Sequence, residues 1–306
     1  MSGDVLPAVR WAIVVVNYGS SALLAENLVS TAEASAPDLV VVVDNPTSAR
    51  ERESVRTLAA RENWIVVEPE TNVGFGGGMN LGVDAAIAAG ATSLLLLNPD
   101  ARLGAPDVRA LRAASAADAL ALCAPRTLTP AGAVWFAGAD LYLRDGRTRG
   151  RAKRHQHPDE QVWEWLTGAC LCLSVELWRA LDGFDEQYFL YWEDIDFSRR
   201  AVDAGGTLVL VEDAVAVHDE GATHRAAGQS ARGKSETYYY FNIRNRMLFA
   251  VQHLGAEQVD QWRRGIPATA REVILRGGRR QLLRSWAPWR GYVRGTRAAR
   301  RIARPE

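Results

Sequence analysis

The sequence has 306 residues, of which 48% are hydrophobic and 24% are charged, and its formal net charge is zero. This composition is ordinary for a soluble globular protein, and the length allows one large α/β domain or a domain with an appendage. No apolar stretch approaches the ~20 residues that span a bilayer. The N-terminal residues MSGDVLPAVR also lack the apolar core of a signal peptide, so we expect a cytoplasmic protein.

The first third of the chain alternates strand and helix patterns. Short apolar runs predict strands over residues 11–18, 39–45, 64–70 and 93–100. Between them, the pattern predicts helices over 21–34 and 47–61, and a glycine-rich loop that runs into a helix over 71–90. Repeated strand–helix units of this length predict a parallel sheet with helices on both faces.

The pattern loosens after residue 107. It predicts a helix over 107–117, a strand over 120–125, a hairpin turning near Asp145-Gly146, a mobile basic loop over 144–160, strands over 162–174 and 206–218, and a long helix over 236–255. Three cysteines, Cys123, Cys170 and Cys172, lie in apolar contexts. Their odd number and surroundings favour core thiols over disulfides or a metal site.

Polar residues follow three of the early strands. They are Asn17-Tyr18, Asp44-Asn45 and Asn98-Pro99-Asp100. The carboxyl ends of parallel strands share one edge, where ligands of open α/β sheets bind. Asp44 could accept a hydrogen bond from a nucleotide base, or it could cap a helix. Separate turns at each strand end are the alternative for the whole set.

The segment NVGFGGGMN over 72–80 opens a helix with four glycines. Glycines let a ligand approach the backbone, and helix N-termini favour phosphate. A dinucleotide-binding fingerprint would follow the first strand rather than the third, so a Rossmann dehydrogenase is a weak interpretation. A tight turn with close helix–sheet packing remains the structural alternative.

Acidic and aromatic residues are densest over 182–200, DGFDEQYFLYWEDIDFSRR. Burial among aromatic side chains would raise the pKa of Glu193 or Asp194 towards that of a useful general base. Acidic residues that complement a helix dipole are the alternative. His218 ends an apolar strand, and with Asp100 it could complete a hard-ion site, although a single histidine is more often structural.

The C-terminal segment is strongly basic. Residues 261–306 contain 13 arginines, no lysine and two acidic residues, with Trp262, Trp286, Trp289 and Tyr292 between them. Basic residues mixed with aromatic ones favour a surface that binds anionic lipid or phosphate. Nucleic acid would select the same composition, and a solvated arginine-rich helix remains open.

Taken together, these stretches resemble the family 2 inverting glycosyltransferases with the GT-A fold, in particular the bacterial rhamnosyltransferases. The matching pieces are VVVNYGSSALLAENL, VVDNPTS, NVGFGGGMNLGV, LLLLNPDA, WLTGACLCLS, GFDEQYFLYWEDIDFSRRA and YYYFNIRNRMLFA, in that order over about residues 11–250. The resemblance implies an α/β fold with a mostly parallel, Rossmann-like central sheet flanked by helices, and a basic helical C-terminal extension.

The resemblance also implies site residues. Donor contacts would come from Val16, Asn17, Tyr18, Asp44, Asn45, Asn72, Gly74, Asn80, Asn98, Arg244 and Arg246. Asn98-Pro99-Asp100 matches the family's Asp-x-Asp element with Asn in place of the first Asp, so Asp100 would bind Mg²⁺ or Mn²⁺, and His218 matches a metal ligand of some members. Glu193 and Asp194 would hold the general base, with Asp194 favoured. Trp192, Thr167 and Gly168 would contact the acceptor.

The implied reaction moves a sugar, rhamnose or a related one, from a dTDP- or UDP-linked donor to a glycan or polyprenyl-diphosphate-linked acceptor in cell-surface polysaccharide assembly. We expect a GT-A domain over 1–255, with a nucleotide-binding part over about 10–105 and an acceptor part over 106–255, and a basic helical extension over 256–306. That extension could contact the inner face of the membrane or form a homodimer, and we expect no nucleic-acid partner. A sugar nucleotidyltransferase and a non-catalytic glycan- or nucleotide-binding module are the alternatives.

Overall fold

The computed structural model describes residues 10–219 and 234–303. Within these residues the central element is a nine-stranded sheet. Its first four strands are parallel and lie in the order β3-β2-β1-β4: β1 (Trp11–Asn17), β2 (Leu39–Asp44), β3 (Ile65–Val67) and β4 (Ser93–Leu97). The parallel sheet predicted from the repeated strand–helix units is therefore confirmed.

Helices connect these strands. They are α1 (Ser21–Leu23), a π turn (Leu24–Leu28), α2 (Val29–Ser35), α3 (Ala49–Glu62) and α4 (Gly74–Ala88). The helix predicted over 21–34 thus contains a π turn, and the glycine-rich segment forms the first turns of α4 instead of a separate loop. Glycine lets α4 approach the sheet closely, because a Cβ at Gly82 would lie 2.5 Å from Val14 Cγ1.

The second half of the chain extends the sheet in the order β4-β11-β6-β12-β5, with β7 beside β6. The elements are β5 (Ala101–Leu103), α5 (Ala105–Ala117), β6 (Ala121–Leu128), β7 (Val134–Phe136), β11 (Cys170–Ser174) and β12 (Thr207–His218). β5, β7 and β11 run antiparallel to their neighbours. The other six strands point in one direction, so the sheet is mixed and mostly parallel by strand direction. Cys123, Cys170 and Cys172 are free and buried, as predicted.

A small antiparallel sheet lies in the order β10-β8-β9: β8 (Ala139–Tyr142), β9 (Arg147–Gly150) and β10 (Val162–Trp165). The predicted turn at Asp145-Gly146 joins β8 to β9, and Gly146 has a φ of 65°. The expected mobile loop over 144–160 instead contains β9 and a 3₁₀ turn (Arg151–Gln156).

The remaining helices are α6 (Val175–Ala180), α7 (Glu193–Asp203), α8 (Glu236–His253), α9 (Ala256–Arg264), α10 (Ile266–Leu275), α11 (Arg279–Arg284) and α12 (Ala287–Ile302). The last four form the predicted helical C-terminal extension. Across residues 10–219 and 234–303, no helix combines the length and the apolar composition needed to cross a bilayer.

The leucine run of β4 is buried on both faces of the sheet. Leu94 and Leu96 belong to one apolar core, and Leu95 and Leu97 belong to the core on the opposite face. A central strand with helices on both faces requires such a continuous apolar run. Pro99 follows it, and the register of the sheet therefore places Asp100 just beyond the strand's carboxyl end.

Candidate active site

A cavity of about 970 Å³ opens at the carboxyl ends of the parallel strands. Fourteen of the predicted site residues line it: Val16, Tyr18, Asn45, Asn72, Gly74, Asn98, Asp100, Thr167, Gly168, Trp192, Glu193, Asp194, His218 and Arg246. Four others are not part of the lining: Asn17, Asp44, Asn80 and Arg244. The fold thus gathers the strand ends, the glycine-rich segment and the acidic segment around one space.

Asp44 and Asn17 form a buried pair at the ends of β2 and β1. The two residues are partners in the parallel register, and Asn17 Nδ2 donates to Asp44 Oδ1 at 2.7 Å. Arg52 Nε lies 3.5 Å from Asp44 Oδ2. Burial raises the pKa of Asp44, while the hydrogen bond from Asn17 and the charge of Arg52 oppose this. The carboxylate therefore already has two partners within the protein.

Asn45 connects the end of β2 to the start of α4. Its side chain donates to Gly74 O at 3.0 Å and accepts from Val73 N at 3.1 Å. Asn72 Oδ1 in turn accepts from Gly74 N at 2.9 Å. Gly74 has a φ of 79°, and a Cβ there would lie 2.2 Å from Phe189 O. This position requires glycine for both its backbone conformation and its close contact.

The structure does not bring Asn80 or Arg244 to the cavity. Asn80 donates to Phe184 O at 3.0 Å and accepts from Phe184 N at 2.8 Å, so both ends of its amide are used. Arg244 donates to Gln187 O at 2.7 Å and to Asn245 Oδ1 at 2.6 Å. Both side chains brace the segment that precedes the acidic pair, and the donor contacts expected of them have no support in their positions.

Asp100 and His218 meet at one corner of the cavity. Pairing of β12 with β5 sets His218 opposite Ala101, and His218 Nε2 lies 3.0 Å from Asp100 Oδ1. The Trp135 ring packs against the imidazole, with the ring centroids 4.4 Å apart. Within the described ranges, His218 Nδ1 and the nearby cavity atom Asn98 Oδ1 are buried without a hydrogen-bond partner.

These residues fit part of a divalent cation site. A carboxylate, an imidazole and an amide oxygen are suitable donors for Mg²⁺ or Mn²⁺, and a buried polar atom without a partner is costly unless a ligand satisfies it. In the part of the chain that is described, no three His, Cys, Asp or Glu side chains form a complete metal-binding group. The protein alone would therefore leave coordination positions for other ligands.

Glu193 and Asp194 begin helix α7 beside the same cavity. Asp194 accepts hydrogen bonds from Gly168 N at 3.1 Å and from Ile195 N at 2.9 Å. Burial raises the pKa of Asp194 to about 6, although these hydrogen bonds oppose the shift. Burial, followed by the neighbouring Asp194 charge, raises the pKa of Glu193 well above its usual value. Glu193 Oε2 has no hydrogen-bond partner among the described residues.

The expected acceptor residues surround this pair. Gly168 contacts Asp194 directly, because a Cβ at Gly168 would lie 3.4 Å from Asp194 Cβ. Thr167 Oγ1 accepts from Ala169 N at 3.3 Å, which shapes the turn before β11. Trp192 is 8% exposed. Burial of the two carboxyl groups is the main physical cause of their raised pKa values.

The comparisons with known proteins identify the family. The sequence matches the family described as "Glycosyltransferase like family 2" over residues 7–261, which is most of the chain. The protein belongs to glycosyltransferase family 2. It is 24% identical over 278 residues to the low-salt glycan biosynthesis hexosyltransferase Agl10 of Haloferax volcanii, covering 87% of this chain and 81% of the relative.

Two further similarities concern the sequence and the fold of the glycosyltransferase. It is 26% identical over 241 residues to the N-acetylglucosaminyl-diphospho-decaprenol L-rhamnosyltransferase of Mycobacterium tuberculosis, covering 70% of this chain and 76% of the relative. The mannosyltransferase PcManGT from Pyrobaculum calidifontis, solved with GDP-Man and Mn²⁺, superposes with a TM-score of 0.55 at 16% identity, covering 96% of this chain and 85% of that one. The likeness to such structures shows that the protein has the GT-A fold.

Arg246 lines the cavity of the glycosyltransferase on the side of its C-terminal helices. It is 3% exposed and donates to Asp145 O at 2.6 Å and to Trp262 O at 3.3 Å. Its guanidinium lies over the Trp262 ring, 4.4 Å from the centroid. Burial lowers the pKa of Arg246 to about 10. Backbone carbonyls and an aromatic ring thus hold a buried cation at this edge of the cavity.

The segment before the acidic pair has an unusual backbone that the sequence did not reveal. Phe189, Tyr191 and Trp192 have φ values of 62°, 66° and 76°. Large side chains rarely adopt this conformation, and such strain concentrates at functional sites. Stacking of Phe189 on Phe241, with centroids 5.1 Å apart, and an edge contact of Tyr191 with Tyr238 at 5.2 Å hold the segment on α8.

Asn245 is the second feature that sequence reasoning missed. It is fully buried, and its amide group is within hydrogen-bond distance of three carbonyl oxygens of the strained segment, Tyr188 O at 2.8 Å, Leu190 O at 3.0 Å and Tyr191 O at 2.7 Å. Tyr188 O also accepts from Leu190 N at 2.7 Å, and for Leu190 O and Tyr191 O the Asn245 amide is a side-chain donor. The motif YYYFNIRNR contains this residue, but its spacing favours no position over another.

The C-terminal helices also contribute to the cavity. Four residues of α10 and its end line it: Thr269, Glu272, Val273 and Arg276. Glu272 forms a bidentate ion pair with Arg147 at the start of β9. The segment expected only as an extension therefore forms one wall of the cavity. Its arginine-rich composition gave no indication of this.

We expect Asn245→Ala to lower the free energy of unfolding by about 2–4 kcal/mol, because buried carbonyls would lose their donor. Urea unfolding followed by circular dichroism would measure this. The matched control is Asn27→Ala, because the buried Asn27 amide donates to a single carbonyl, Pro99 O at 3.1 Å. That control should cost about 1 kcal/mol. Equal losses of unfolding free energy in the two variants would show that the three contacts of Asn245 stabilise the fold no more than the single contact of Asn27.

We expect Glu193→Gln to become more stable relative to the wild type as the pH rises from 4.5 to 8. The usual glutamate pKa is 4.5, and burial raises that of Glu193 well above it in the folded chain. The unfolded wild-type chain therefore ionises first as the pH rises, and this favours unfolding. The variant lacks that ionisation, so the difference should be smallest below pH 4. Denaturant unfolding at several pH values measures it.

An exposed substitution, Glu33→Gln, is the control for this pH series, since Glu33 lies on the surface of α2. Its difference from the wild type should stay nearly constant with pH. A Glu193→Gln difference that is also independent of pH would show that the folded protein does not disfavour this carboxylate.

Proposed function

We propose that this glycosyltransferase moves a sugar from a nucleotide-diphosphate donor to a hydroxyl group of a glycan or lipid-linked acceptor, with inversion of configuration. One observation carries the proposal: the Asp100–His218 pair and the Glu193–Asp194 pair line the same cavity at the carboxyl ends of the sheet. The first pair suits a cation and a diphosphate, and the second suits removal of a proton.

Asp194 is the general base in this proposal. Its pKa of about 6 leaves it ionised at neutral pH but still basic enough to take a proton. The Gly168 amide holds one carboxylate oxygen in place. Glu193 is less suited, because burial and the Asp194 charge keep it protonated to higher pH. The two carboxyls titrate as a pair, and Asp194 loses its proton first.

The proposed reaction is a single displacement. Asp194 accepts the proton of the acceptor hydroxyl while the oxygen attacks the anomeric carbon of the donor. The bond from that carbon to the diphosphate oxygen breaks at the same time, so the configuration inverts. The strained segment 189–192 leads directly into the acidic pair, and Trp192, whose ring packs on Phe249, is part of the cavity lining.

Asp100 and His218 would hold a Mg²⁺ or Mn²⁺ ion. Among the described residues, Asn98 Oδ1 and His218 Nδ1 have no hydrogen-bond partner, which supports a charged ligand at this corner. When bound, the ion would neutralise charge on the leaving diphosphate. PcManGT, whose fold this protein shares, was solved with GDP-Man and Mn²⁺.

The donor nucleotide would bind along the strand ends, where Val16, Tyr18 and Asn45 line the cavity next to Asn72 and Gly74. Asp44 would recognise a pyrimidine base only if the nucleotide displaces or extends its contact with Asn17. We propose a dTDP- or UDP-linked donor carrying rhamnose or a related sugar, following the similarity to the M. tuberculosis rhamnosyltransferase.

The acceptor in this proposal is a polyprenyl-diphosphate-linked sugar or a growing cell-surface glycan. The name of the M. tuberculosis rhamnosyltransferase includes an acceptor of this kind, N-acetylglucosaminyl-diphospho-decaprenol. Trp192, Thr167 and Gly168 surround the base, and Arg246 lies at the side formed by the C-terminal helices. The enzyme would work in the cytoplasm and meet such an acceptor at the inner face of the membrane, as a monomer or a homodimer.

We expect the full chain to hydrolyse or transfer sugar from at least one member of a nucleotide-sugar panel with Mn²⁺ or Mg²⁺ present. Asp194→Asn should lower kcat by about 10²–10⁴-fold and leave the affinity for UDP or dTDP within about twofold, because it removes only the base. For the wild type, kcat/KM should rise with pH through about 6, as Asp194 ionises. Chromatography of the released nucleoside diphosphate would measure the wild-type turnover, the loss in Asp194→Asn and the pH dependence.

The control for Asp194 is Asp203→Asn, which removes an exposed carboxylate that pairs with Arg199 near the end of the same helix. It should retain wild-type turnover. Normal turnover of Asp194→Asn would favour a role for this acid in structure alone. Release of pyrophosphate from a sugar phosphate and a nucleoside triphosphate would identify a nucleotidyltransferase instead.

We expect Asp100→Ala to abolish the gain in nucleotide affinity that Mn²⁺ produces. Calorimetric titration of UDP and dTDP with and without Mn²⁺ would measure that gain, with no need for turnover. Asp84→Ala removes an exposed carboxylate of α4 and should keep the full effect. A metal-dependent gain that survives in Asp100→Ala would refute the assignment of Asp100 as a ligand.

A further inference from the structure

Helices α11 and α12 carry large apolar side chains that face solvent. Leu283 is 90% exposed, Trp286 74%, Trp289 44% and Val293 42%. We call these four residues the tryptophan surface. Exposed apolar residues are common singly, but a contiguous group of this size marks an interaction site.

The packing of α12 fixes which side of the helix is exposed. Gly291 and Gly295 face α8, where a Cβ would lie 2.4 Å from Tyr239 Cβ and 3.0 Å from Ile243 Cβ, respectively. The helix therefore cannot rotate to bury its other side without losing this close contact. Trp286, Trp289 and Val293 follow one another at intervals of three and four residues, so they share a face of α12.

The surroundings of the tryptophan surface are uniformly positive. Six exposed arginines flank it: Arg279, Arg280, Arg284, Arg290, Arg297 and Arg300. The sequence has no acidic residue between Glu272 and Glu306, and no ion pair joins any of the six to an acidic group of the described residues. Arg294 is the exception on this helix, since it pairs with Glu236 of α8.

Exposed apolar side chains surrounded by unpaired arginines of the described residues favour one kind of partner over the others. A second copy of the chain joined about a twofold axis would bring arginines against arginines, which is unfavourable. RNA would suit the arginines and the indole rings, but it offers no apolar environment for the aliphatic Leu283 and Val293. An anionic bilayer satisfies both, with phosphate at the surface and acyl chains beneath it.

We propose that the tryptophan surface docks on an anionic lipid bilayer. Leu283 and Trp286 enter the boundary between headgroups and acyl chains, and the six arginines contact lipid phosphates. Trp286 suits this depth because an indole has a broad apolar ring and one polar N–H group. Trp289 contributes its ring only, since its N–H donates to Leu282 O at 3.0 Å.

Docking in this orientation would also determine how close the cavity lies to the bilayer, an inference that rests on the proposed function. Helix α10 lines the cavity with Thr269, Glu272, Val273 and Arg276, and α11 begins three residues after Arg276. The wall of the cavity and the membrane surface thus belong to the same run of helices. Docking would bring the acceptor side of the cavity close to the bilayer, where a lipid-linked hydroxyl acceptor is held.

The test is co-sedimentation of the full chain with vesicles of phosphatidylglycerol and phosphatidylcholine. We expect the wild type to bind them and to bind pure phosphatidylcholine at least tenfold more weakly. The double variant Leu283→Ser/Trp286→Ser should bind the mixed vesicles about tenfold more weakly or worse. Arg279→Gln/Arg280→Gln/Arg284→Gln should lose about fivefold per arginine at low salt, and less at high salt.

A matched control is Val134→Ser/Val202→Ser, which removes two exposed apolar side chains outside the tryptophan surface. It should bind vesicles as the wild type does. Substitutions are preferable to deletion of the C-terminal helices, because deletion would remove the buried Trp262 and expose its core.

Equal vesicle binding by the wild type and the Leu283→Ser/Trp286→Ser variant would overturn the proposal, as would wild-type binding to neither vesicle. A dimer in sedimentation velocity that the same variant abolishes, without vesicle binding, would assign the surface to a second copy. Preferential binding of single-stranded RNA that the variant loses would assign it to nucleic acid. Donor hydrolysis in solution should be unchanged in this variant, so a failure of docking is distinguishable from a failure of the proposed function.

Discussion

Four of the buried polar atoms that have no hydrogen-bond partner among the described residues belong to side chains that line one cavity. They are Asn98 Oδ1, Trp165 Nε1, Glu193 Oε2 and His218 Nδ1. Each lowers the stability of the folded chain, because burial removes water and nothing replaces it. The chain tolerates this cost because the sheet is packed by apolar cores on both faces. Where several such atoms belong to the lining of one cavity, they can interact strongly with a polar or charged ligand.

The two halves of the cavity are mechanically connected. Phe75 N, in the first turn of α4, donates to Phe189 O at 2.8 Å, and Gly74 leaves no room for a side chain at the same contact. Asn245 then holds the carbonyls on either side of Phe189. The glycine-rich segment and the segment before the acidic pair are therefore in direct contact. The strained backbone at 189–192 is maintained by contacts from two directions, as strain at a functional site requires.

Local rules predict the strand ends, and parallel strands bring their carboxyl ends to one edge of the sheet. This places Asp100 after β4, whereas Glu193 and Asp194 reach the same cavity through the start of helix α7. Asn80 and Arg244 lie outside the cavity lining, and spacing alone does not tell which face of α4 or α8 meets the cavity. Asn245 was missed for a related reason: its importance depends on three carbonyls some 55 residues earlier. Such contacts exist only once the tertiary fold is formed.

Helix α8 connects the C-terminal helices to the residues around the candidate site. Asn245 extends from it towards the strained segment, while Tyr239 and Ile243 receive the glycine face of α12. The same helix carries Arg246, which contacts Trp262 of α9. The apolar core shared by α8, α9, α10 and α12 therefore fixes the position of the residue that holds the loop before Asp194. By composition the basic segment could be a solvated tail. In the structure it packs on α8, the helix whose Asn245 contacts the segment before the acidic pair.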